Sequence, residues 1–131
     1  MKNIFLLVII LFLNQSCISQ CNNKYLMNTL WITSEITDDE ITFDKTHRIL
    51  DENNQYIMDV WELQMKLFSD QKVSVKYIKT DNYQEIVAPV DGTWDCEDDR
   101  LILTGPQLKG HNKFIIKDVK EDELILKVLK N

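Results

Sequence analysis

The chain is poor in the residues that shape loops around cofactors. Only 3 of its 131 residues are glycine and 2 are proline. No Gly-rich loop that could cradle a phosphate is present, and no Pro/Gly/Ser linker divides the chain. Histidine is as scarce: His47 lies in a polar stretch and His111 in a Gly-bounded loop. Neither has partner ligands at metal-motif spacing, which predicts no metal site and no cofactor. No Gly-x-Ser-x-Gly nucleophile motif occurs, and no Ser or Thr hydroxyl is assigned a partner base. The expectation is a protein that is not an enzyme.

Basic charge is also in short supply, with 15 Lys+Arg against 21 Asp+Glu and a formal net charge of −6. That balance argues against nucleic acid and against anionic lipid, which both need a basic footprint. A basic protein partner is compatible with it. The acidic runs Asp95, Glu97, Asp98, Asp99 and Asp118, Glu121, Asp122, Glu123 lack calcium-loop spacing and read as solvated turns.

Long apolar runs are missing apart from Ile4–Leu13. That run follows Met1-Lys2-Asn3 and precedes the polar Asn14-Gln15-Ser16-Cys17-Ile18-Ser19. It is shorter than the roughly 20 residues of a stable membrane span, and the basic, apolar, polar order is that of a secretory signal. Residues 1–19 are therefore expected to be a signal peptide cut before Gln20. The competing site lies between Ser16 and Cys17, which would give a 1–16 leader and a lipidated Cys17, although Asn14 stands where the usual lipobox has Leu. Either route predicts export to the periplasm, the outer membrane or the medium, with membrane contact only through a lipid on Cys17. The remainder, 20–131, has the length of one domain. Once Cys17 is removed or lipidated, Cys21 and Cys96 are left. They form either a disulfide, which an exported compartment permits, or two separate thiols.

Along 20–131 the dominant pattern is short apolar alternation broken by Asp, Asn and Gly. Leu30–Ile36 predicts a first strand, and Ile41 with Phe43 a second. Trp61, Leu63, Met65 and Leu67 alternate with Glu62, Gln64 and Lys66. Ile57, Trp61, Met65 and Phe68 also fit a helical face, but the cleaner period of two predicts a strand. Val73, Val75 and Tyr77 follow across a turn, so 61–77 predicts a hairpin. Gln84–Cys96 is extended, with Pro89 pointing to an edge or a bend. Leu101–Thr104, Phe114–Ile116 and Leu124–Leu129 complete the set, and Gly105-Pro106 through Gly110-His111 is the most flexible-looking loop. Many short strands at close spacing predict an antiparallel sandwich or barrel.

Several stretches together resemble the small bacterial lipocalin-like proteins of the cell envelope. They are Asn28-Thr29-Leu30-Trp31, Met65–Val73, Asp91-Gly92-Thr93-Trp94 with Leu101–Thr104, and Phe114–Val119 with Leu124–Lys127. Gln71 stands where that family's hairpin has glycine. The resemblance spans most of 26–129 and implies an all-β fold, an antiparallel up-and-down β-barrel with an internal pocket. The aromatic set Trp31, Phe43, Trp61, Phe68, Tyr77, Trp94 and Phe114 either lines that pocket for a small apolar or amphipathic ligand or fills the barrel as its core. The leading expectation is non-catalytic ligand binding. The alternative is a protein-binding module, such as an inhibitor or immunity-type protein.

Overall fold

The computed structural model describes residues 19–57 and 60–130. Residues 1–18 of the expected 1–19 leader, Cys17 among them, lie outside the described residues, while Ser19 is described. Eight antiparallel strands close into a barrel: β1 Trp31–Ile36, β2 Glu40–Asp44, β3 Trp61–Leu67, β4 Lys72–Asp81, β5 Gln84–Glu97, β6 Arg100–Thr104, β7 Lys113–Val119 and β8 Leu124–Val128. Their burial follows the period of two that the sequence shows. Leu63, Met65 and Leu67 of β3, Val73 and Val75 of β4, and Leu101 and Leu103 of β6 all point inward into one core. No helical face forms at 61–68.

The strand order is not that of an up-and-down barrel. Around the wall it runs β1-β2-β8-β7-β6-β5-β4-β3, so β1 lies between β2 and β3. From β3 to β8 the chain is a plain meander, and β2 pairs with β8 to close the wall. Because β2 and β3 both run antiparallel to β1, they run parallel to each other. The connection from β2 to β3, described over 45–57 and at Val60, must therefore return from one end of the barrel to the other outside the wall. This crossover makes its own small hairpin, bridged at Leu50 and Tyr56, with the Asp51 carboxylate accepting from the Asn53 and Gln55 amides. It docks on β4 through Val60 and Thr80, whose backbone N–H donates to the Val60 carbonyl at 2.8 Å. Ile32, Ile49 and Ile78 are buried but stand apart from the main core cluster. They form a second apolar layer between crossover and wall. Lack of a strand pattern in 45–60 hid this layer from a purely sequential reading.

Both barrel ends are stoppered. At one end the segment before β1 folds over the rim and inserts Leu26, fully buried, whose carbonyl accepts from the Trp31 indole N–H at 3.1 Å. The segment is fastened by a Cys21–Cys96 disulfide with Cα atoms 5.7 Å apart. Asp99 also holds it, its carboxylate accepting from the Ser19 hydroxyl at 3.0 Å and from the Gln20 amide. At the other end the β6–β7 loop inserts Leu108, also fully buried and bridged to His111. The loop that looked most flexible in the sequence is thus pinned by an apolar side chain.

Two backbone details explain local sequence choices. A Cβ on Gly92 would lie 2.0 Å from the Thr104 carbonyl oxygen, so only glycine lets β5 approach β6 there. Gln71 takes φ +66° in the β3–β4 turn, the left-handed conformation that glycine adopts without strain. The turn keeps its shape with a non-glycine residue.

Candidate functional site

The aromatic residues separate into three groups. Trp31, Phe43 and Phe114 are fully buried, and Trp94 nearly so, all within the core cluster. Trp94 donates its indole N–H to the Phe68 carbonyl at 2.8 Å. Tyr77 is half-buried against the core, where desolvation raises its pKa above the ordinary 10.0. Phe68 lies just past the end of β3, outside the wall, beneath the Lys66 ammonium at 5.3 Å. Trp61, at the start of β3, is 50% exposed and lies at the barrel mouth under the Lys109 ammonium at 5.6 Å. The seven residues therefore do not line one pocket. Four pack the interior, Tyr77 packs half-buried against it, and Trp61 and Phe68 lie at the two ends of β3.

The mouth itself is concave. One cleft of about 360 Å³ is lined by Ile36, Ile41 and Val128 below and by Lys109, His111 and Lys130 with Asp38 above. A second, of about 290 Å³, is lined by Thr33, Ser34, Glu35, Arg48 and Trp61. Ile36 and Lys109 border both, so the two hollows adjoin. The local chain explains the second hollow. The β1–β3 ladder stops at Ile32 and Gln64, and the Thr33 hydroxyl accepts from the Leu63 amide at 3.0 Å in place of a further ladder bond. β1 then bulges between Thr33 and Glu35 and leaves a gap beside Trp61.

Charge around the mouth is mixed. Lys130 is paired with Asp39 at 3.2 Å, and Arg48 with Asp44. Burial alone would raise the Asp44 pKa, but hydrogen bonds from Arg48 and the Thr46 amide and the guanidinium charge outweigh it and lower the value. Among the described residues Lys109 makes no ion pair, only its contact with Trp61. Its ammonium borders both hollows, where it can meet an incoming negative or acceptor group.

A buried carboxylate lies on the outer wall beneath the crossover. The Glu62 side chain is fully shielded from solvent. It meets His47 Nδ1 at 2.9 Å and accepts from the Arg48 amide at 2.9 Å and from Gln64 Nε2 at 2.6 Å. With its lone pairs occupied by protein donors, Glu62 is a structural clasp for the crossover. The acidic run at 95–99 has a comparable role through Asp99. No group of three His, Cys, Asp or Glu able to hold a metal exists among the described residues. Ser69-Asp70-Gln71-Lys72 does have Ser-x-x-Lys spacing, a match that reading the stretch as a turn passes over. It is the β3–β4 turn, and Lys72 is drawn to Asp70 at 3.7 Å.

Sequence reading did not assemble Ile36, Ile41, Lys109, Val128 and Lys130, because four separate segments bring them together. The only signal was the Gly105–Gly110 loop, which a packed barrel would place at one end.

The class defined by these features is a filled, closed, eight-stranded antiparallel barrel with a double hollow at one mouth. Comparison with known proteins finds no matching family model, no matching curated protein and no matching solved structure.

Proposed function

We propose that the protein is an exported, non-catalytic binding protein with a lipocalin-like barrel. Its ligand is a small amphipathic molecule, held at the mouth of the barrel instead of inside it. The observation that carries this reading is the adjoining pair of hollows bordered by Lys109, with an apolar floor at Ile36, Ile41 and Val128 and an aromatic wall at Trp61. Binding sites combine a mainly apolar concave surface with a few oriented polar groups. An apolar body would rest on the floor, and an acceptor headgroup would draw Lys109 from the Trp61 ring. That exchange is inexpensive, since an exposed cation–π contact contributes about 0.5–1 kcal/mol.

Anilinonaphthalene sulfonate, an amphipathic anion, is a suitable probe. Its fluorescence should rise on adding the folded protein. Lys109→Ala and Trp61→Ala should each weaken the signal roughly tenfold, equivalent to about 1.4 kcal/mol. Lys76→Ala, at an exposed position of β4 that borders neither hollow, should leave it unchanged. No enhancement with the folded wild type, or equal enhancement by all variants, would refute binding at the mouth.

A further inference from the structure

The long β4–β5 hairpin extends past β6, and among the described residues this leaves part of β5 with one neighbouring strand. β5 pairs with β4 along Gln84–Thr93, but with β6 only along Thr93–Glu97. The Trp94 amide donates toward β4, to the Gln71 carbonyl at 2.8 Å. Backbone groups alternate in direction along a strand, so those of residues 85, 87 and 89 point away from β4. Pro89 agrees, since it has no N–H to offer to β4 opposite Lys76. At Asp91 the β6–β7 loop closes in, because a Cβ on Gly105 would lie 3.1 Å from the Asp91 carbonyl oxygen. The open edge is therefore Glu85–Pro89. Apolar side chains flank it: Ile86 is 53% exposed and Val87 41%, with Tyr83 and Val90 exposed at its ends. Such an edge is a template for another strand.

We propose that this edge pairs with the same edge of a second copy of the chain, antiparallel, about a two-fold axis through Val87. What favours it is self-complementarity: Glu85 is the only charged residue of Glu85-Ile86-Val87-Ala88-Pro89, and an antiparallel pairing about Val87 sets it opposite an uncharged residue while apolar side chains meet at the centre. In this register Val87 faces Val87 of the partner copy, and Ile86 faces the partner's Ala88. Glu85 faces the partner's Pro89, whose carbonyl accepts the Glu85 amide. No carboxylate opposes another. A register shifted to Glu85 would put two carboxylates face to face, which destabilises a strand pair. One shifted to Pro89 would have no donor at the axis. The pairing shares no residue with the mouth hollows. A short edge with its flanking side chains covers less than the about 800 Å² per partner of a stable complex, so the dimer is weak and reversible.

Sedimentation equilibrium of the purified protein over a wide concentration range tests this. A monomer–dimer equilibrium is expected. Val87→Lys, which sets two ammonium groups opposite each other, should weaken it roughly tenfold, about 1.4 kcal/mol, with an unchanged melting temperature because Val87 is exposed. Opposed residues in a hydrogen-bonded pair have Cα atoms about 5.5 Å apart, within disulfide reach. Val87→Cys should therefore cross-link into a dimer on mild oxidation, and Lys76→Cys, one strand back from the edge, should not. A protein that stays monomeric at every concentration, or a dimer indifferent to Val87→Lys, would overturn the proposal.

Discussion

Glu62 shows how far one residue's setting departs from what its place in the sequence implies. In the alternation of β3 it occupies the outward position, where a charged residue normally meets water. The crossover covers it instead, and three protein donors replace the lost hydration. Removing one partner of a buried charged network leaves the others unsatisfied and costs about 3–5 kcal/mol. Glu62→Ala should therefore lower the free energy of unfolding by about 3 kcal/mol, read from urea denaturation. Glu62→Gln, which keeps the acceptor, should cost less. A loss near zero for Glu62→Ala would mean that the crossover is held by Ile49 and Val60 alone. The alternation gave Glu62 its direction but not its cover, because burial here comes from a segment fourteen and more residues distant. Trp61 is the opposite case. Its inward register was legible, but the barrel rim ends beneath it and leaves it exposed.

Among the elements, individual strands were far more legible than their order. The runs 61–67, 72–81 and 101–104 carry a period of two that no other conformation would bury as well. Nothing local says that β1 pairs with both β2 and β3. That choice is made by the crossover, whose apolar residues fall in two short clusters, Ile49-Leu50 and 56–60, on either side of the polar stretch 51–55 and so do not read as one strand. The N-terminal segment is likewise unremarkable as a sequence, yet it closes one barrel end through Leu26 and is secured by a bridge spanning 75 residues. In the chain-entropy description, a loop of that length contributes about 4–5 kcal/mol. Reduction, or Cys96→Ala, should cost up to about 4 kcal/mol in the same denaturation experiment. A much smaller loss would show that Asp99 and Leu26 hold the segment without the bridge.

For the whole molecule, three titrating groups bear on the pH range of full stability: Asp44 on the acid side, and on the alkaline side Tyr77 together with Tyr56, whose pKa is raised by its hydrogen bond to Glu85. Asp44 has a folded pKa below its ordinary 3.8, so its contribution is present above 3.8 and is lost as pH falls through the lowered value. Tyr77 has a folded pKa above 10.0. Its contribution is present below 10.0 and is lost as pH rises through the raised value. Denaturation midpoints followed against pH should thus show an alkaline decline that Tyr77→Phe reduces. A decline unchanged in that variant would assign it to other groups.

Closure of the wall has a consequence for how the chain acquires its shape. β2 and β8 meet through Ile41 with Leu126 and Phe43 with Leu124, positions separated by most of the described chain. Loop-closure entropy makes such distant partners late to meet. The meander from β3 to β8 consists of neighbours and can assemble first. β1 and β2 must then enter the remaining gap together as a hairpin, beneath a connection that already spans it. The slow step of folding is therefore the docking of residues 31–44 into a nearly finished wall, and mutations on the β2–β8 seam should slow refolding more than those within the meander.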